Sequence, residues 1–250
     1  MIDIAHRGRV AIITLAHGKA NALDSELCRE IIHRFEELKS TTAQAVVLTG
    51  RGHIFSAGVD LLRAVEGGAD YLREFLPVLS QAFETVFFYP KPVVAALNGH
   101  AIAGGCVLAC AADQRLMALG SGRMGVTELL VGLPFPATAF EIMRFATAPQ
   151  FFEDMIVTAA TYAPEVARER GLLHEVVAPA DLLVRAVAVA EELAALSPAA
   201  FALTKMQARQ PVRDTLQRTG ASVDAAVREI WLDPQTLARM RDYVARTLKK

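Results

Sequence analysis

The chain has 250 residues, 53% of them hydrophobic, and a formal net charge of -1. That apolar content excludes a disordered chain, and the near-zero charge removes the usual ground for expecting nucleic acid or an anionic membrane as partner. Cys28, Cys106 and Cys110 form an odd, sparse set, which argues against a disulfide framework and for a reducing, cytoplasmic setting.

The first residues carry scattered charges and no clean apolar segment, so no secretory signal is expected. Residues 2–6 and 10–15 alternate as a β-hairpin turning at Arg7-Gly8-Arg9. Asp24 reads as the N-cap of a helix to about Leu38, with Leu27, Ile31, Phe35 and Leu38 on its apolar face. Residues 45–49 form a continuous apolar strand of the type buried in parallel sheets. A loop containing Phe55-Ser56-Ala57-Gly58-Val59-Asp60 follows, and periodicity predicts a helix over 71–88, before Pro90. A strand over 93–97 leads through a glycine turn into a small-residue helix starting near Gly104 and Gly105. No charge occurs from Pro92 to Ala112, but Asn98, His100 and three glycines favour a buried strand and helix over a membrane span.

Alternating strands and helices predict an α/β layer, in the first instance a doubly wound one. After about Ala137 helices dominate, near 137–147, 149–158, 164–170, 180–196, 198–208, 212–231 and 234–248, with a short strand over 173–177. The change near residue 200 divides the chain into a core over 1–197 and a helical region over 198–250.

Two glycine loops carry the chemical signal. Each follows a strand and precedes a helical segment, so each can present bare backbone N–H groups. Two such donors, one per loop, suit an oxygen that develops negative charge. Glu128, in the apolar run RMGVTELLVGLPFP, is the acid–base candidate, because burial there would raise its pKa toward neutrality. The six histidines show no metal-ligand spacing, and no G-x-S-x-G, G-x-G-x-x-G or P-loop occurs. Ser56, His100 and the Cys106/Cys110 pair read as structural.

Five segments in order resemble the crotonase, or enoyl-CoA hydratase/isomerase, superfamily. They are Asn21-Ala22-Leu23, the loop from Phe55 to Leu61, the run from Lys91 to Cys106, Asp113, and Ser197-Pro198 with Leu203-Thr204-Lys205. The resemblance implies repeated ββα units forming two roughly perpendicular sheets, with 198–250 as a trimerisation region giving a homotrimer or hexamer. It implies an acyl-CoA thioester substrate and no separate cofactor. By position, Val59 and Gly104 would supply the oxyanion N–H groups. Ala20, Ala22, Ala57, Gly58, Asp60 and Leu61 would line the CoA path, and Lys205 would meet CoA phosphates, those of its own subunit's substrate or of a neighbouring subunit's.

The pattern departs from hydratases at two points. The first of their two glutamates falls at Val107, and a glycine that helps hold water falls at Pro136, which has no N–H. Single-glutamate enoyl-CoA isomerases resemble the chain at both. The expectation is a 3-enoyl-CoA to 2-enoyl-CoA isomerase with Glu128 as proton shuttle and a dry pocket of Val107, Leu133, Phe135 and Pro136. A hydratase or another acyl-CoA reaction on the same scaffold, and a non-catalytic acyl-CoA-binding subunit, are the alternatives.

Overall fold

The computed structural model describes residues 1–247. The end of the helix expected over 234–248, and the end of the 198–250 region, lie outside the described residues.

The hairpin forms from β1 (Ile2–Arg7) and β2 (Val10–Leu15), with Gly8 at φ +56° in a turn one residue tighter than expected. Helix α1 (Ser25–Lys39) is capped by Asp24, whose carboxylate accepts from Leu27 N–H, and buries Leu27, Ile31, Phe35 and Leu38. Three successive units then share one plan. Strands β3 (Ala45–Gly50) and β4 (Ile54–Ser56) precede α2 (Leu61–Phe87), and β5 (Val93–Leu97) and β6 (His100–Ile102) precede α3 (Gly104–Cys110). Strands β7 (Gln114–Ala118) and β8 (Met124–Gly125) precede the one-turn helix α4 (Glu128–Val131).

The first strand of each pair joins a six-stranded sheet, completed by β1, β2 and β10 (Glu175–Val177), in the order β1-β2-β3-β5-β7-β10. The second joins a four-stranded sheet, β4-β6-β8-β9, with β9 at Thr161–Tyr162. The ββα repeat therefore replaces the doubly wound layer. Its physical cause is a sharp step between sheets within each pair. At Gly99, between β5 and β6, a side chain would drive into the His53 carbonyl, so only glycine lets the backbones pass.

Every large-sheet strand from β2 to β7 is sandwiched, which explains the unbroken apolar runs. Ile13, Leu15, Val46, Leu48 and Ala95 face the main core with α1, α2 and α3. Ile12, Val47, Val94 and Ala96 face α8 (Leu182–Ala194) through Leu182, Ala186 and Ala190. Helices α5 (Ala137–Ala146), α6 (Pro149–Thr158) and α7 (Pro164–Glu169) lie between the last repeat and β10. The C-terminal region is α9 (Pro198–Thr215), a π-helical turn, α10 (Ala221–Leu232) and α11 (Pro234–Thr247). Helices α10 and α11 pack back onto α2 of the same chain.

Helix α2 starts ten residues earlier than periodicity indicates. Asp60 accepts from Arg63 N–H and caps a first segment, which meets the predicted helix at a kink where Gly68 has φ +59°. Pro211 is accommodated inside α9, so the break expected there is absent. No single helix among the described residues is long and apolar enough to cross a membrane.

Asp113, after α3, holds the C-terminal region to the core. It accepts from Val93 N–H at 2.8 Å, Lys205 Nζ at 2.7 Å and Arg209 at 2.8 Å. Lys205 and Arg209 are buried, and desolvation pulls the Lys205 ammonium down to about 8 against the opposing pull of Asp113. Asp113→Ala would strand both cations and should lower the unfolding free energy in urea by about 3–5 kcal/mol. Lys205→Met should cost less, because Arg209 keeps its carboxylate.

Candidate active site

The site is built on the ends of the first two ββα units. Asn21, held at φ +46°, donates through Nδ2 to the carbonyls of Ile54 and Phe55 and accepts from His17 N–H. Ser56 Oγ donates to Asn21 O at 2.7 Å and accepts from Gly58 N–H at 3.2 Å, so this hydroxyl is a staple. Ala57 N–H donates to Ala20 O, and Leu23 brackets Val59 by accepting from Asp60 N–H and donating to Gly58 O. These bonds leave Val59 N–H unused.

The second loop approaches the first backbone to backbone. Gly58 has φ +84°, and a Cβ on it would lie 2.6 Å from Ile102 O and 2.9 Å from Gly104 N. Ala103 is held at φ +51°, an expensive conformation for a residue with a Cβ, and it turns Gly104 into the first position of α3. Among the described residues, neither Val59 N–H nor Gly104 N–H meets a protein acceptor. Both residues line one cavity of about 660 Å³.

Glu128 reaches the same cavity from α4. Although the residue is only partly buried, its Oε2 is fully buried and has no hydrogen-bond partner. Desolvation raises the carboxyl from 4.5 to about 7, against a smaller downward pull from the backbone N–H groups of Glu128 and Thr127. A carboxyl in this state holds or releases a proton near neutral pH.

The predicted path residues Ala20, Ala22, Ala57, Asp60 and Leu61 line the cavity, as do Val107, Leu133 and Pro136. Val107 is fully buried, and Pro136 precedes α5 and offers no donor. Three expected residues lie elsewhere. Gly58 sits behind the wall, as the close contact between loops. Phe135 turns aside, its ring 6.3 Å from that of Phe140. Lys205 is sequestered by Asp113, because a buried ammonium needs its counter-charge at hand. His100, on β6, and the buried thiols of Cys106 and Cys110 are outside the lining.

Four lining residues carry no signal that sequence reasoning used. His17 and Lys19 stand at the polar mouth, where His17 Nε2 meets Asp24 Oδ2 at 2.6 Å. Trp231 of α10 and Tyr243 of α11 close the apolar part. Trp231 is 2% exposed and donates through Nε1 to Pro134 O at 2.9 Å. The C-terminal region thus walls its own chain's cavity. Among the described residues no group of three His, Cys, Asp or Glu side chains forms a metal site.

Glu128 carries a stability cost with a definite pH window. Its folded pKa, about 7, lies above the unfolded 4.5, so the folded state binds more protons between these values. Stability therefore falls as pH rises from about 4.5 to about 7. Glu128→Gln should stabilise the protein at pH values above this window, by up to about 3 kcal/mol, and much less below it. Thermal unfolding at both ends of the window checks this.

The enoyl-CoA hydratase/isomerase family model matches residues 5–230. A Thermus thermophilus protein named as an enoyl-CoA hydratase is 35% identical over 204 residues, 80% of each chain. The enoyl-CoA isomerase structure from Mycobacterium tuberculosis superposes with a TM-score of 0.81 at 28% identity, over 90% of this chain and 97% of that one. Human mitochondrial delta3-delta2-enoyl-CoA isomerase shares the fold, with a TM-score of 0.92 at 20% identity over 99% and 98% of the two chains. The paired N–H loops, the buried carboxyl and the ββα scaffold are thus those of an acyl-CoA enzyme. The chain belongs to the enoyl-CoA hydratase/isomerase family.

Proposed function

We propose that the protein moves the double bond of a 3-enoyl-CoA into conjugation, giving a 2-enoyl-CoA. The observation that carries this reading is Glu128 Oε2, buried and without a partner, in a cavity whose other carboxylate, Asp60, is engaged as the cap of α2. Val59 N–H and Gly104 N–H donate to the thioester oxygen as charge develops on it. Glu128 takes a proton from C2, leaving an enolate whose oxygen the two donors stabilise. The same carboxylic acid returns the proton at C4, so the cycle closes with one base and no water. No separate cofactor enters this cycle, since the CoA belongs to the substrate.

The apolar wall supports isomerisation over hydration. Val107 and Pro136 stand where a hydratase would hold its first glutamate and a water-binding N–H, and neither can donate to or activate water. Hydration of a 2-enoyl-CoA is the second reading, favoured by the name of the Thermus thermophilus relative. Lys19 at the mouth is the cation placed to meet the CoA phosphates in either case. The family resemblance supports a homotrimer or dimer of trimers, and the three free cysteines support a reducing, cytoplasmic setting.

The test supplies 3-hexenoyl-CoA and 2-hexenoyl-CoA separately and identifies products by mass. Conjugation of the first without water addition to the second supports isomerisation. Water addition alone would replace it with hydration. The base must be ionised to start the cycle, so kcat/KM should rise with pH through about 7.

A further inference from the structure

Helix α5 begins beside the active cavity without a cap of its own. Its N-cap position is Pro136, whose ring carries no acceptor. The first N–H groups of a helix have no partner within it. The acceptor for Ala137 N–H comes instead from α10, 87 residues further on, where Asp224 Oδ1 lies 2.8 Å away. A carboxylate at this place also suits the positive end of the helix. The next residue is tied to the opposite side, where Thr138 Oγ1 donates to Glu84 Oε1 of α2 at 2.7 Å. Upstream, Pro134 O accepts from Trp231 Nε1 at 2.9 Å, and Leu133 N–H donates to Glu128 O at 3.0 Å. Two bonds to α10 therefore bracket Pro136, one on each side of it.

Pro136 is a wall with two sides. It lines the active cavity, and it also lines a second cavity of about 100 Å³ that holds Asp224 and Arg228. Among the described residues no other is common to the two linings. The second cavity carries charge and reaches the surface, since Arg228 and Pro77 in its lining are exposed. On the other side stands Glu128, with a buried oxygen that has no partner. Pro136 thus parts a polar, outward side from a dry, inward one.

We infer that Asp224 is a positioning residue: by holding Ala137 N–H it fixes Pro136 as the partition that keeps water away from the reacting carbons. Asp224 does not line the active cavity and acts through Pro136. The inference rests on the isomerase reading, in which one base returns the proton it took. When Glu128 removes the C2 proton it becomes a carboxylic acid. In a dry cavity that acid delivers the same proton to C4. Water beside it would exchange the proton for one from solvent first.

The experiment converts 3-hexenoyl-CoA in deuterium oxide and reads deuterium at C4 of the product by NMR. The wild type should deliver mostly the proton taken from C2, so C4 carries little deuterium. In Asp224→Ala the C4-deuterated product should become the main one. Its kcat/KM should also rise at a pH lower by about one unit, because water eases the desolvation that holds the Glu128 carboxyl up. The other titratable groups of the cavity, His17, Lys19, Asp60 and Tyr243, are the same in both proteins. Asp224→Asn keeps an oxygen for Ala137 N–H and should restore the wild-type labelling and pH profile. The Thr138–Glu84 bond remains in both variants, so α5 should stay in place, which circular dichroism checks. If Asp224→Ala does not fold, Trp231→Phe, which releases Pro134 O on the same segment, takes its place with the same expected labelling. Heavy deuteration in the wild type, unchanged labelling in the folded variant, or Asp224→Asn labelled as heavily as Asp224→Ala overturns the inference. Absence of any conjugation by the wild type overturns the proposed function and the inference with it, and is read before any label is measured.

Discussion

Glu128→Gln should lower kcat for the conjugation of 3-hexenoyl-CoA by about 10²–10⁴-fold while leaving substrate affinity within a few-fold. Glutamine fills the same volume and keeps a polar oxygen near the backbone donors, but it cannot carry the proton between C2 and C4. The loss belongs to the transition state, so kcat and kcat/KM should fall together. The same variant should be the more stable protein above neutral pH, because a desolvated carboxylate with no partner has been removed. Opposite signs for activity and stability at one position are the mark of a group retained for chemistry. A Glu128→Gln enzyme with near-wild-type turnover would end the single-base mechanism.

Gly105→Ala should be nearly as damaging, by a route that leaves both oxyanion donors in the chain. A Cβ at this position would collide with the Ser56 carbonyl, which is fixed backbone. Ser56 is the staple of the loop bearing Val59, through its bonds to Asn21 and Gly58. The two loops must then separate, which moves Val59 N–H away from Gly104 N–H. Losing one donor should cost about 10²–10³ in kcat, and the overpacking should cost ~1–3 kcal/mol of stability. Gly104→Ala is the control. Its Cβ would meet the flexible end of Leu23 at 3.2 Å, so the fold should tolerate it better than Gly105→Ala. Comparing kcat and urea unfolding for the pair checks the argument. Equal stability in the two variants would refute it.

Local sequence carried the chemistry further than the architecture. Glu128 stands out because its neighbours are apolar; Val131, Leu133 and Pro136 of that run share its cavity, whereas the adjacent Leu129 and Leu130 are exposed. The two loops stand out because glycines must occupy places where backbones touch. The second sheet leaves no local signal by contrast, and only the family resemblance implies it. Its strands have two or three residues, too few to show an alternation, and their pairing is decided by tertiary packing. The early start of α2 was hidden because Asp60 belongs to a glycine loop and also caps a helix. Lys205 shows the limit of carrying a role by position, since its counter-charge, Asp113, is distant in sequence and close in space. Trp231 and Tyr243 have the same character. Nothing near them on the chain marks them as cavity walls, which exist only once α10 and α11 fold back over α2.

That folding back divides the cavity between two stretches of chain that can change independently. In the proposed mechanism the groups that handle charge and protons come from the loops and turns between Val59 and Glu128, where a misplaced atom is costly. Part of the cavity wall comes from α10 and α11, through Trp231 and Tyr243, which lie on a separate stretch of chain. Selection can therefore retune what the enzyme accepts by altering Trp231 and Tyr243, with those groups held constant. An engineer can do the same by grafting α10 and α11 from another member of the family onto this core, with Asp224 kept.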